Sequence, residues 1–357
     1  MDAFSQSILQ WYRENGRDLP WRRTRDPYPV WLSEIILQQT RVAQGTAYWH
    51  RFLERFPTVE ALAAASEDEV LRLWEGLGYY SRARNLHAAA RQIVAQGGFP
   101  STLEGIRSLK GVGDYTAAAI GSICFGLPAA VVDGNVYRVL ARHFGIATPV
   151  GTTQAKKEFT ALAQKLLPAS EAAAFNQGMM DFGALQCTPL SPACLTCPLQ
   201  PSCQAFRSGR VELLPVKKAP AAVQERHFNY IYLRVDGYTA IRRRPAGDIW
   251  QGLYEPLVTK GSYRFTDWGA IPPDPLGRPA ASGPSAKPFP ENGVPEGAVL
   301  LKAGVKHQLT HRTLLVDFYR WEPSARPALP EGYGWIQEAE LDRYAKPRLF
   351  ELLLEAL

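Results

Sequence analysis

Leu109-Lys110-Gly111-Val112-Gly113-Asp114-Tyr115-Thr116-Ala117-Ala118-Ala119-Ile120 reads as the end of one helix, a sharp turn and the start of another. Two glycines permit the turn, and Asp114 or Thr116 can cap the Ala-rich helix that follows. Such a turn points the backbone N–H groups of Gly111, Val112 and Gly113 outward at a helix N-terminus, where a phosphate is held without any base being read. As a bare Gly-x-Gly pattern, the same residues also fit an ordinary helix-to-helix connection.

Working outward, residues 1–206 have the three- and four-residue apolar spacing of helices throughout, with Ser66…Glu69 and Ser101…Glu104 as capping boxes. Residues 207–226 are polar and proline-marked and read as a connector. From 227 to 357 the period changes to two. Phe228–Val235, Asp236-Gly237 and Tyr238–Arg243 form a hairpin signature. Further strands are expected at 252–258, 298–306 and 313–321, with a last helix over 347–357 and a long loop across 261–297, where eight prolines fall. The fold class is therefore multidomain, an all-α half followed by an α+β half.

A chain of 357 residues, 46% hydrophobic, can bury two cores. No apolar stretch approaches membrane-spanning length and the first residues lack a signal region, so no membrane partner is expected and a cytoplasmic location is. The net charge of +6 suits a polyanion without requiring one.

Two carboxylates stand out. Glu34 sits in Val30-Trp31-Leu32-Ser33-Glu34-Ile35-Ile36-Leu37, on an apolar stripe. A desolvated glutamate holds its proton near neutrality, as a general acid must, although a Glu on a helix surface would read similarly. Asp133 follows the apolar Ala130-Val131-Val132 and precedes an amphipathic helix, the position of an N-cap. A helix N-terminus also favours its charged form, which suits a reaction developing positive charge on a sugar. One protonated and one ionised acid divide the labour of breaking a glycosidic bond.

Cys187, Cys194, Cys197 and Cys203, spaced C-x6-C-x2-C-x5-C, fit a metal centre. Four thiolates suit zinc or an iron–sulfur cluster, and the single C-x2-C knuckle favours the cluster over a zinc ribbon. A disulfide pair or four unrelated thiols is the plainer alternative. Cys124, in an apolar run, reads as a small buried hydrophobe.

Taken in order, LPWR, SEIILQQT, GLGYYSRARNLH, GVGDYTAAAI, VDGNV, FNQGMMDFGALQC and the four-cysteine loop resemble the helix-hairpin-helix DNA glycosylases, specifically the MutY-type adenine DNA glycosylases, over nearly all of residues 1–206. The resemblance implies a six-helix barrel beside a helical domain with a 4Fe-4S cluster held by the four cysteines of 187–203. It implies excision of adenine mispaired with 8-oxoguanine or guanine in double-stranded DNA, by a monomer. Glu34 then protonates the departing base and Asp133 stabilises the oxocarbenium-like sugar, with Asn135 beside it. Arg17, Trp21, Arg22, Leu37 and Gln177 line the pocket for the extruded base, while Gln39 and Tyr79 wedge the duplex. Tyr115 stands where endonuclease III-type relatives hold a Schiff-base lysine, so strand cleavage by an amine is not expected.

Residues 227–357 resemble, more weakly, the Nudix-like domain of the same proteins, around 240–245 and 250–256. No Nudix carboxylate box is present, so pyrophosphatase activity is not expected. The family reads 8-oxoguanine through a Phe-Ser-His segment; here the matching residues are Leu309-Thr310-His311, which keep a hydroxyl and an imidazole but lose the ring. Two other readings stay open on the residues alone: an endonuclease III-like enzyme with lyase activity, and a non-catalytic DNA-binding protein using the hairpin and cluster as scaffold.

Overall fold

The structure, a computed structural model, describes residues 2–218, 223–260, 293–309 and 312–357. The chain forms two compact units, one from Met1–Ala64 with Asn85–Pro220, the other from Ala65–Arg84 with Ala221–Leu357. The sequence places 65–84 among the helices of the first half; in the structure it is part of the second unit. Its ties there are specific: Tyr254 Oη donates to Asp68 at 3.3 Å, Arg243 pairs with Glu67 at 2.8 Å, and Lys346 N donates to Glu75 at 2.6 Å. These partners are more than 170 residues apart, beyond the reach of local periodicity.

The first unit is helical. Ala3–Asn15, Gly134–Phe144 and Ala172–Asp181 bury Ile8, Val139, Leu140, Phe175 and Met179 in one apolar cluster that also receives Cys187, Cys197 and Cys203. Pro27–Ile36 is almost wholly buried, because Trp31, Leu32, Ile35 and Ile36 close it on several sides. No helix among the described residues is long and apolar enough to cross a membrane.

The second unit holds a seven-stranded mixed sheet, counted over the described residues, from β1 (Gln224–Val235), β2 (Tyr238–Arg243), β3 (Tyr254–Glu255), β4 (Leu257–Lys260), β5 (Val299–Gln308), β6 (Arg312–Trp321) and β7 (Tyr333–Gln337). β1 is central, antiparallel to β2 and β4 and parallel to β6. Its alternation feeds two cores: Tyr230 and Tyr232 face Val316, Phe318 and the helix Arg348–Leu354, while Ile231, Leu233 and Val235 face Ala240 and Leu257.

The expected hairpin forms, with Asp236 at φ 49° and Gly237 at φ 74°. β1 begins four residues earlier than the sequence suggests, since Gln224 already pairs with Arg312. The single strand expected at 252–258 divides into β3 and β4 at Pro256, which has no N–H for a ladder. β7 was not expected; it is short and follows Pro327, Pro330 and Gly332. The proline-rich 261–297 stretch lies outside the described residues up to 292.

Candidate active site

Glu34 sits on the helix Pro27–Ile36, which Asp26 caps by accepting from Tyr28 N at 3.0 Å. The carboxyl is buried, 9% exposed. Burial pushes its pKa from 4.5 to about 7; the Tyr115 hydroxyl and the Arg22 guanidinium pull it down, and Asp133 pushes it up. Desolvation thus outweighs both favourable neighbours, and the carboxyl is substantially protonated at neutral pH.

Asp133 is the N-cap of Gly134–Phe144, accepting from Val136 N at 2.8 Å on one oxygen and from Asn135 Nδ2 at 2.8 Å on the other. The cap and the functional carboxylate expected from sequence coincide in one residue. Its pKa is nevertheless raised rather than held down. Burial is the largest cause, and the donors of Val136 and Asn135 with the charge of Arg138 oppose it. Each oxygen is still met by an N–H, the arrangement that favours the ionised form.

Tyr115 opens the helix Asp114–Phe125. Its hydroxyl acts on Glu34 and reaches the Met180 sulfur at 3.5 Å; burial first, then both carboxylates, raise its pKa well above 10, so it is a neutral donor. Two capping expectations are corrected in this region. Gly113, not Asp114 or Thr116, is the N-cap and no side chain caps the helix, because Asp114 turns instead to Lys156 at 2.7 Å and Arg107 at 3.0 Å. At the preceding helix Thr102, rather than Ser101, accepts from Gly105 N at 3.1 Å. Gly111 is at φ 77°, and a Cβ there would lie 2.6 Å from the Asn85 side chain, so only glycine fits the hairpin.

Glu34, Tyr115, Asp133, Asn135, Arg17, Trp21, Arg22, Leu37, Gln39 and Gln177 all line one cavity of about 560 Å³. Residues 111–113 and Tyr79 do not line it, and Thr310 and His311 lie outside the described residues. Gln38, Ile123 and Met180 line it without having been singled out from sequence. The more consequential omission is Asp181, fully buried, whose carboxylate takes Arg17 Nε at 2.8 Å and Arg22 Nη1 at 2.6 Å. Burial pushes its pKa up, but the hydrogen bonds from Arg22 and Arg17 prevail and hold it low. Arg17 and Arg22 are therefore fixed as a positive wall by a charge behind them. An acid in the FNQGMMDFGALQC motif was the available signal.

Gln39 and Tyr79 are two of five described non-glycine residues at positive φ, 57° and 46°. Such strain persists where the surroundings impose it. Around Tyr79, which is 49% exposed, Arg82 does so: its guanidinium donates to Leu77 O at 3.2 Å and Gly78 O at 3.3 Å and lies 5.0 Å from the Trp74 ring and 5.6 Å from the Tyr79 ring. Tyr80 is buried, as expected of a core aromatic.

The four cysteines are free thiols, all partly buried. Among the described residues no group of three or more His, Cys, Asp or Glu is close-set enough to hold a metal ion. The thiols are nonetheless in electrostatic reach of one another. Burial raises Cys197 to about 11, and Cys187, Cys203 and Cys194 each add to it. Arg142 donates to Cys187 Sγ at 3.4 Å, Thr188 O at 2.7 Å and Pro189 O at 3.1 Å. Arg138 donates to Cys187 O at 2.7 Å, Gly183 O at 2.6 Å and Asn135 Oδ1 at 2.8 Å. Since Asn135 in turn donates to Asp133, a continuous hydrogen-bonded path joins the cysteine loop to the Asp133 carboxylate. Gly183 makes room for it: a Cβ there would lie 2.6 Å from that of Asn135.

A glycine hairpin and a buried acid that shares one cavity with a capping aspartate are the features of a base-excision DNA glycosylase. Residues 32–169 match the HhH-GPD superfamily base excision DNA repair proteins, and 229–356 match the NUDIX domain. The chain is 36% identical over 255 residues to an adenine DNA glycosylase of Buchnera aphidicola subsp. Schizaphis graminum, covering 71% of this chain and 74% of that one. To the adenine DNA glycosylase of Homo sapiens it is 45% identical over 214 residues, covering 57% and 39%. A thermostable thymine-DNA glycosylase structure superposes with TM-score 0.53 at 31% identity, over 57% of this chain and 95% of that one. The chain belongs to the adenine DNA glycosylase family and is a DNA N-glycosylase.

Proposed function

We propose that the enzyme extrudes and hydrolytically removes adenine paired with 8-oxoguanine or guanine in double-stranded DNA, acting as a monomer and without an amine-driven strand cleavage. The observation that carries this reading is the shared cavity of Glu34 and Asp133, both acids desolvated, with Asp133 met by two N–H donors. Glu34, protonated, gives its proton to the base as the glycosidic bond lengthens, and afterwards accepts one from the attacking water. Asp133 opposes the positive charge that grows on the sugar. Tyr115 keeps its proton and has no amine, so no Schiff base forms at that position.

Gln39 and Tyr79, already in strained backbone, would fill the space the base leaves. Gly111, Val112 and Gly113 would hold a phosphate, and Thr310 and His311 would meet the 8-oxoguanine. The four cysteines suit a 4Fe-4S cluster: they are thiols gathered within mutual electrostatic reach, with Arg142 donating to one sulfur as such clusters favour. When bound, the cluster supplies a covalent brace to the 187–203 loop; the residues of the first unit do the rest.

The test is adenine release from an A:8-oxoguanine duplex, read by alkali cleavage, with an undamaged A:T duplex as control. Release from the mispair alone, with no cleavage before alkali, supports the reading; cleavage of damaged pyrimidine sites without alkali would overturn it.

A further inference from the structure

Tyr12 lies on the helix Ala3–Asn15, and its ring fills space that two glycines leave open. A Cβ at Gly178 would lie 3.0 Å from that of Tyr12, and one at Gly16 would lie 2.7 Å from a ring carbon. The Arg22 guanidinium stands 5.8 Å from the ring centre. Held in this way, the Tyr12 hydroxyl donates to Gln177 Oε1 at 2.6 Å.

Gln177 is buried and lines the same cavity as Glu34, Arg17 and Arg22. A carboxamide has one accepting end and one donating end. With its oxygen turned to Tyr12, the end that has no protein partner among the described residues is the Nε2 donor, the group a bound base would meet. The reverse orientation is disfavoured, because the Tyr12 hydroxyl has no other hydrogen-bond partner among the described residues, and its proton would be left without an acceptor in a half-buried site.

We propose that Tyr12 is a positioning residue which fixes the Gln177 carboxamide with Nε2 toward the cavity, so that the pocket requires a ring-nitrogen acceptor on the extruded purine. Adenine presents such acceptors at N1, N3 and N7. This inference rests on the reading of the cavity as an adenine pocket, and it adds how the pocket reads one edge of the base.

The experiment measures the affinity of the full chain, wild type and Tyr12→Phe, for duplexes whose target nucleotide carries 2′-fluorine, which disfavours positive charge on the sugar and leaves the duplex intact. The bases compared are adenine, its 1-, 3- and 7-deaza analogues and purine lacking the amino group. Wild type should bind one of the deaza analogues about fivefold to tenfold more weakly than adenine, as one lost hydrogen bond implies. Tyr12→Phe, which keeps the packed ring, should reduce that preference to within about twofold. Gln177→Glu, whose ionised carboxylate offers no donor, should abolish the same preference, and it serves if Tyr12→Phe folds poorly. Discrimination that survives unchanged in Tyr12→Phe, or that falls on the amino group instead of a ring nitrogen, overturns the proposal. A wild type that releases no adenine from natural duplex would instead fail the functional reading beneath it.

Discussion

Replacing Glu34 with Gln should stabilise the protein, and by an amount that depends on pH in a specified way. In the folded state the carboxyl titrates at about 7, against 4.5 for an exposed glutamate. The folded protein therefore holds this proton more tightly than the unfolded chain, and stability is lost as pH rises from 4.5 through 7. Each tenfold difference in proton affinity is worth about 1.36 kcal/mol, so the wild type forfeits about 3 kcal/mol once the group is ionised in both states, and only about 1 kcal/mol at pH 5. Gln is nearly isosteric and does not ionise. The gap in stability between Glu34→Gln and wild type should widen by about 2 kcal/mol between pH 5 and pH 8 and then stay constant. Thermal unfolding of both proteins across this range, followed by far-ultraviolet circular dichroism, reads that widening as a growing difference in Tm. A difference independent of pH would refute the desolvated-acid account, whatever its absolute size.

Arg138→Ala should cut the path from the cysteine loop to Asp133, leaving the carbonyls of Cys187 and Gly183 and the Asn135 amide without their donor; a loss of about 3 kcal/mol is expected, together with slower single-turnover excision. Arg82→Ala should weaken binding to the mispair through Tyr79, so that Arg82→Ala combined with Tyr79→Ala binds no more weakly than Tyr79→Ala alone; additive losses in that double-mutant cycle would contradict the bracing role. Asp133→Ala should abolish base release, and Asp133→Ser, which keeps a side-chain oxygen to cap the helix but no carboxylate, should not restore it. A purified sample should be yellow-brown and contain iron and sulfide bound through the four cysteines; colourless protein containing zinc would remove the cluster from the account.

The parts legible in the sequence are those governed by near neighbours. The Gly111–Gly113 hairpin, the Asp236-Gly237 turn and the capping position of Asp133 each follow from a few adjacent residues whose backbone needs are specific. The apolar stripe around Glu34 gave its burial for the same reason. What stayed hidden depends on partners far along the chain. Asp181 reads as one more helix residue until Arg17 and Arg22 arrive from more than 150 positions away. The assignment of 65–84 to the second unit rests on Glu67, Asp68 and Glu75 meeting Arg243, Tyr254 and Lys346. Asp114 illustrates a local rule overridden: an acid beside a helix start usually caps it, yet two basic side chains claim this one. The net direction at Asp133 was also beyond the sequence, since it depends on how far burial exceeds the hydrogen bonds.

The claim on which the account depends is that Glu34 reaches the base as a neutral acid. The single-turnover rate of adenine excision, measured against pH from 5 to 9 under saturating enzyme, tests it most directly. The rate should fall above about pH 7, approaching tenfold per pH unit as Glu34 loses its proton. A rate that holds level from pH 6 to 9 would contradict it.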